Sequence, residues 1–160
     1  MNEPEIRDLL PHPTAAVRLT APTTELGSLF DERLPNIADW LADAGVDPAG
    51  PPYVRYHRYS AEEVDVEIGI PVDRPLPHVR PLDQAEPDEL AASELPGGPT
   101  AILVHVGSYD GLPQAYERLR AWIREQGREE GPPPWESYVD DPSEVDDASQ
   151  LRTEVCWPLS

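Results

Sequence analysis

The chain has 160 residues, enough for one domain of ordinary size or for two half-domains that share a core. Its formal net charge is -19, and all twelve basic residues are arginines. The sequence shows no basic patch of the kind that phosphate binding needs, so we expect no nucleic-acid partner. The single cysteine, Cys156, excludes an intramolecular disulfide and a cysteine-based metal cluster. No signal peptide and no run approaching ~20 apolar residues is visible, so we expect a cytoplasmic protein that does not bind membranes.

The first part of the chain is predicted to contain strands followed by a helix. Residues 5–10 and 14–20 are predicted to be extended, because apolar and polar residues alternate in the second stretch. A helix is predicted to begin near Glu25, where apolar residues start to recur at three- and four-residue steps, and to end at Gly45. Pro35 lies inside that pattern and predicts a kink or two successive helices.

Two further strands and a long connection are predicted next. Residues 53–59 are rich in aromatics, and residues 64–70 alternate between apolar and polar with a period of two, so both predict strands. Residues 73–99 are predicted to form a bridge that pairs in part with a sheet. Within it, we expect a short strand over 79–82 and a helical turn over 86–95.

The last third of the chain is predicted to repeat this order. The apolar run at 101–106 predicts a central strand buried on both faces. An amphipathic helix follows, with Pro113 in its first turn and Gly127 at its end. Strands are predicted over 135–139 and 151–159, with an acidic loop between them.

Corresponding residues in the two parts indicate an internal duplication. The aligned pairs are Trp40 and Trp122, Tyr56 and Tyr138, Glu67 and Glu154, and Pro71 and Pro158. The first two pairs are 82 positions apart and the last two are 87 apart, so the second copy carries five extra residues in its acidic loop. We predict one domain made of two repeats, about 5–72 and 100–160, joined by the bridge 73–99.

The repeated order predicts an α+β fold. Each helix has one apolar stripe to bury, so we expect the helices to cover the convex face of a shared, concave antiparallel sheet. The two strand–helix–strand–strand modules would be related by a pseudo-twofold axis. The other face of the sheet is then predicted to form a groove on that axis.

Two carboxylates are predicted to point into this groove. Glu67 and Glu154 lie in the middle of their strands, where a carboxylate is costly unless it meets a cation, a hydrogen-bond donor or a proton. This cost indicates a ligand site. The alternative is that arginines or solvent satisfy both carboxylates on a polar sheet face.

Aromatic residues on the same strands suggest the class of ligand. Tyr53 and Tyr56 lie in the first half, and Trp135 and Tyr138 in the second. Aromatic faces beside a desolvated carboxylate favour flat, lipophilic cations, although the same residues could serve in the core. The sequence shows no metal-ligand spacing, no nucleophile motif and no phosphate loop, so we expect neither a metal nor a cofactor.

Three segments carry a resemblance to a known family: VHVGSYDGLPQAYERLRAWIREQG, ESYVDDP and LRTEVCWPL, with EEVDVEIGIPV as the counterpart of the last in the first half. With these segments the chain resembles the GyrI-like family, which includes the effector-binding domains of AraC- and MerR-type multidrug regulators. It implies two strand–helix–strand–strand modules with a concave sheet that binds small molecules. A glutamate of the family that meets cationic drugs corresponds to Glu154, with Glu136 as the second candidate.

Three functions remain open at this point. The first is a stand-alone binder of lipophilic, often cationic compounds. The second, implied by hydrolases among the relatives, is hydrolysis of reactive electrophiles by Glu154 with Tyr138 or Tyr109. The third is docking onto a protein partner, as a gyrase inhibitor does. The resemblance covers nearly the whole chain, apart from about ten N-terminal residues and the bridge, and leaves no stretch for a helix-turn-helix, so we expect no direct role as a transcription factor.

Overall fold

The computed structural model of the chain describes residues 3–140 and 144–160. These residues form eight β-strands and two α-helices, and the named strands pair only in antiparallel fashion, which confirms the predicted α+β class. Residues 141–143 of the predicted acidic loop lie outside the described part. Neither helix in the described ranges is long and apolar enough to cross a membrane.

The strands and helices follow the predicted order. They are β1 (Glu5–Leu9), β2 (His12–Pro22), α1 (Leu26–Ala44), β3 (Tyr53–Tyr59), β4 (Glu63–Pro71), β5 (Ala91–Leu95), β6 (Gly98–Val106), α2 (Leu112–Glu125), β7 (Trp135–Tyr138) and β8 (Arg152–Pro158). Short 3₁₀ turns precede both helices, at Thr23–Glu25 and Tyr109–Gly111.

The chain divides into two compact units. The N-terminal unit is Pro11–Leu95, and the C-terminal unit combines Met1–Leu10 with Pro96–Ser160. The strand order is β3–β4–β2–β5 in the N-terminal unit and β7–β8–β6–β1 in the C-terminal unit. Each unit therefore contains strand, helix, strand and strand in sequence, with one further strand on the outer side of its first strand.

Aligned residues occupy equivalent positions in the two sheets. Tyr56 of β3 lies opposite Val66 of β4, and Tyr138 of β7 lies opposite Thr153 of β8. Tyr138 lies 82 positions after Tyr56, and Thr153 lies 87 positions after Val66, which are the two offsets of the sequence alignment. Side chains at aligned positions can therefore be compared directly, each within its own unit.

Each helix packs on one face of the sheet of its own unit, which we call the helix face, and we call the other face the far face. Because side chains alternate along a strand, Val64, Val66, Ile68 and Ile70 share one face of β4, whereas Glu67 lies on the other. The C-terminal core joins α2 to its sheet through a set of buried residues: Ala101, Leu103, Leu112, Ala115, Leu119, Ile123, Val155, Trp157 and Leu159.

Some local predictions are wrong. Of the two alternatives at Pro35, two successive helices are excluded, because α1 runs as one element through Pro35. Pro35 is exposed, so water can meet the carbonyl that loses its intrahelical partner. Residues 86–95 do not form a helical turn, because Ala91–Leu95 pairs as β5 with the edge of β2. Residues 79–82 do not form the predicted short strand either: Pro81 makes an isolated bridge to Ala92, and a 3₁₀ turn begins at Leu82.

Candidate functional site

Glu67 lies on the far face of the N-terminal unit and is completely surrounded by hydrogen-bond donors. Its side chain is 1% exposed. The Tyr53 hydroxyl and the Ser93 hydroxyl both donate to Oε2, the latter over 2.9 Å. His57 Nε2 lies 3.0 Å from Oε1. The carboxylate therefore has donors on both oxygens and is sealed from solvent.

The tyrosine that binds Glu67 is itself held in place. The Tyr53 hydroxyl lies 2.9 Å from Thr14 Oγ1, within hydrogen-bond distance. Gly69 makes room for the ring, since a Cβ there would lie 2.8 Å from the Tyr53 hydroxyl oxygen and 2.8 Å from the carbonyl oxygen of Ala15. Together with the bond from Ser93, these contacts link Glu67 in β4 to β2, β3 and β5.

The hydrogen bonds decide the charge state of Glu67. Burial alone would raise the pKa of Glu67, but the hydrogen bonds from His57, Tyr53 and Ser93 outweigh burial and hold the pKa below its ordinary value. Burial and the neighbouring Glu67 charge raise the pKa of Tyr53, so Tyr53 stays a donor. Glu67 is thus a buried, ionised carboxylate with a structural role.

This charge state predicts a dependence of stability on pH. Because the folded pKa of Glu67 lies below the unfolded value of ~4.3, its contribution is present above that value and is lost as pH falls through the folded pKa. Urea unfolding of wild type and Glu67→Gln between pH 7 and pH 3 should show a smaller loss of stability with acid in the variant. Equal losses in both proteins would contradict this assignment.

Glu154 aligns with Glu67 but has different surroundings on the far face of the C-terminal unit. It is half-buried. In residues 3–140 and 144–160, its one hydrogen bond comes from the Cys156 thiol, with Sγ 3.6 Å from Oε1. Burial raises the pKa of Cys156 well above its usual value, so the thiol remains protonated and adds no positive charge.

The residues opposite the two glutamates on the neighbouring strands also differ in charge. Arg18 and Arg55 lie opposite Glu67 in the register of the N-terminal sheet. Val104 and Ser137 occupy those places beside Glu154. The strands beside Glu67 therefore carry arginines, whereas those beside Glu154 carry uncharged residues, and the cation near enough to interact with Glu154 is Arg7 of β1.

A third carboxylate, Glu136, lies on the helix face of the C-terminal unit. It is 3% exposed. The Tyr116 hydroxyl, from α2, donates to Oε1 over 2.9 Å, and the Tyr138 hydroxyl donates to Oε2 over 2.6 Å. The rings of Tyr138 and Tyr109 meet edge to face at 5.7 Å, and Tyr109 is 38% exposed. Together these residues form a tyrosine-lined carboxylate site that begins at the surface and ends in the core, which we call the Glu136 site.

The aligned position in the N-terminal unit carries no carboxylate. The residues aligned with Glu136 and Tyr116 are Val54 and Leu34, and Val54 is 1% exposed in the N-terminal unit. An apolar pair thus fills the same place beneath α1. Burying a carboxylate costs free energy that a valine does not, so the Glu136 site is a candidate for function.

The structure separates residues that the sequence analysis grouped together. Tyr138 and Glu154 lie on opposite faces of the C-terminal sheet, and Tyr138 contacts Glu136. Tyr53 lies with Glu67 on the far face, as expected, but Tyr56 lies on the helix face. Trp135 is buried on the far face of its own unit, opposite Cys156.

Tyr116 is the site residue that the sequence analysis missed. It lies on the apolar face of α2, which is typical of a core residue, and its ring packs edge to face on Trp157. Only the register of β7 against β8 brings Glu136 under its hydroxyl. No cluster of three His, Cys, Asp or Glu side chains that could hold a metal ion occurs in the part of the chain that the structure describes.

A family model described as the GyrI-like small-molecule-binding domain matches residues 2–160. The chain belongs to this family. No curated protein matches this GyrI-like chain in sequence.

Solved structures support the same fold. The C-terminal domain of EcmrR superposes with a TM-score of 0.82 at 21% identity, covering 100% of this chain and 98% of that one. In a complex of EcmrR with DNA, the TM-score is 0.80 at 21% identity; the match covers 99% of this chain but only 57% of the EcmrR chain. SAV2435 bound to tetraphenylphosphonium has a TM-score of 0.64 at 15% identity, with 99% and 94% of the two chains covered. A hydrolase from Listeria innocua has a TM-score of 0.66 at 13% identity, covering 99% and 92%.

Proposed function

We propose that this GyrI-like domain binds lipophilic small molecules, often cationic ones, and that Glu136 is the carboxylate they meet. The family model describes a small-molecule-binding domain, and SAV2435 binds a lipophilic cation. The observation that carries the proposal is the Glu136 site itself, a carboxylate buried among tyrosines at a position where the other repeat has valine.

The chemistry of the Glu136 site suits such a ligand. A carboxylate that is removed from water attracts a cation far more strongly than one on the surface. Tyrosine rings offer faces to the cation and apolar area to its substituents. Tyr109 is partly exposed and its ring contacts Tyr138, so a ligand that displaces these two rings would reach Glu136 from solvent.

Glu154 is the competing carboxylate, and we assign it the weaker role. It is half-buried, so water screens its charge more than that of Glu136. Its hydrogen bond comes from a thiol, and the charge of Arg7 already interacts with it. We therefore expect Glu154 to contribute less to the affinity for a cation.

Binding should depend on the positive charge of the ligand. We expect wild-type protein to bind tetraphenylphosphonium with 1:1 stoichiometry, and to bind the uncharged triphenylphosphine oxide about tenfold more weakly or worse, because a charge-assisted contact is worth ~1.5–3 kcal/mol. Isothermal titration calorimetry measures both affinities. Equal affinity for the two compounds, or no binding of either, would contradict the proposed function.

Hydrolysis of an electrophilic small molecule is the second candidate, and one contact favours it. The Tyr138 hydroxyl lies 2.6 Å from Glu136 Oε2, so a general base and a phenol that could donate a proton are adjacent. The pair is Glu136 with Tyr138, and not Glu154 with Tyr138. Release of a hydrolysed product that requires both of these side chains would favour an enzyme over a binding protein.

A further inference from the structure

Thr153 carries a buried hydroxyl that the protein leaves unused. It lies in β8 and is 0% exposed. Within residues 3–140 and 144–160, its Oγ1 has no hydrogen-bond partner. Buried polar side chains are nearly always paired, because an unpaired hydroxyl loses its water without compensation. The exception at Thr153 therefore requires an explanation.

The register of the sheet places this hydroxyl beside the Glu136 site. Thr153 lies opposite Tyr138 on one side and opposite His105 on the other. Side chains that face each other across neighbouring strands have Cβ atoms ~4.5–5.5 Å apart. His105 directs Nε2 to the carbonyl oxygen of Ser108 at 2.8 Å, so that nitrogen is already engaged.

The fold itself does not require a hydroxyl at this position. The residue aligned with Thr153 in the other repeat is Val66, which is 0% exposed and lies opposite Tyr56 as Thr153 lies opposite Tyr138. A β-branched apolar side chain therefore fits this place beneath a helix. The hydroxyl of Thr153 places a polar atom in the C-terminal core, where it forms no hydrogen bond with any described residue.

We infer that Thr153 is a specificity-determining residue of the Glu136 site, and that it selects ligands bearing a hydrogen-bonding oxygen or nitrogen beside their lipophilic cationic part. This inference rests on the proposed function. The hydroxyl can donate to such a group and accept from it. A site with an unpaired polar group discriminates strongly, because a ligand without the matching group leaves that polar group unsatisfied.

Matched cations and matched variants test this inference. The ligands are tetraphenylphosphonium and its derivatives with one hydroxyl at the 3- or 4-position of one ring. The variants are Thr153→Val, which reproduces Val66, and Thr153→Ser, which keeps the hydroxyl. Calorimetric titration gives all the affinities, and thermal unfolding without ligand reports on folding.

We expect wild type to bind at least one hydroxylated cation about tenfold more tightly than tetraphenylphosphonium. Thr153→Val should abolish that preference, so that the hydroxylated cations bind no more tightly than tetraphenylphosphonium, and it should unfold at the same or a higher temperature. Thr153→Ser should retain the preference. The same selectivity in Thr153→Val and wild type, or an equal loss for all three cations, would overturn the inference without affecting the proposed function. Failure of wild type to bind any of them would overturn both.

Discussion

Replacing Glu67 with alanine should lower the free energy of unfolding by about 3–5 kcal/mol, because it leaves several buried donors without an acceptor. The Tyr53 and Ser93 hydroxyls and His57 all converge on this carboxylate. Each buried donor that loses its partner costs ~1–3 kcal/mol, and Tyr53 keeps only its contact with Thr14. Urea unfolding at neutral pH, followed by tryptophan fluorescence, measures the change.

The aligned glutamate of the other repeat provides the control. Glu154→Ala removes the same side chain from the corresponding strand position, but Glu154 is half-buried and its hydrogen bond comes from a thiol. We expect this variant to lose about 1 kcal/mol or less. Comparable losses in the two variants would show that the donors around Glu67 do not stabilise the fold as described.

Replacing Glu136 with glutamine should weaken the binding of tetraphenylphosphonium by about 10- to 100-fold. The substitution keeps the size of the side chain and a carbonyl oxygen for one tyrosine donor, but it removes the negative charge. Loss of a charge-assisted contact in a buried site is worth ~1.5–3 kcal/mol, which corresponds to this range. The affinity for triphenylphosphine oxide should change little, so the variant should lose the preference for the charged ligand.

Glu154→Gln is the matched control for this prediction, since it neutralises a carboxylate of the same unit on the opposite face of the sheet. We expect it to retain the affinity of wild type for tetraphenylphosphonium within about threefold, because water screens a partly exposed charge more than a buried one. If Glu154→Gln loses the binding and Glu136→Gln keeps it, the ligand site lies on the far face. Circular dichroism of both variants checks that neither result arises from unfolding.

The comparison of the two repeats explains why these three carboxylates differ in role. Glu67 and Glu154 occupy the same strand position, yet only Glu67 has hydroxyl donors and a histidine around it. Glu136 has valine as its counterpart beneath the other helix. Glu67 is therefore bound by donors of its own unit, whereas the proposed ligand site lies at Glu136, where the first repeat has no carboxylate.

Short-range patterns in the sequence were sufficient for the elements of the fold. The period of two over 64–70 predicted β4, and the apolar stripe from Leu112 to Ile123 predicted α2, because burial of one face imposes these spacings. The same reasoning failed at 86–95, where Ala91–Leu95 is a strand. Its conformation depends on pairing with β2, a segment more than seventy residues earlier in the chain, which no local pattern reveals.

The sequence by itself determined the α+β class, the repeated order of elements and the resemblance to the GyrI-like family, since these depend on periodicity and on the order of motifs. Only the tertiary structure decided what each polar side chain contacts. Ser93 and Thr14 reach the Glu67 cluster from strands distant in sequence, and Tyr116 meets Glu136 across a helix–sheet interface. A shift of one residue in strand register would move Glu136 to the other face of the sheet. The partners of each carboxylate therefore follow from the register, and not from the residue types alone.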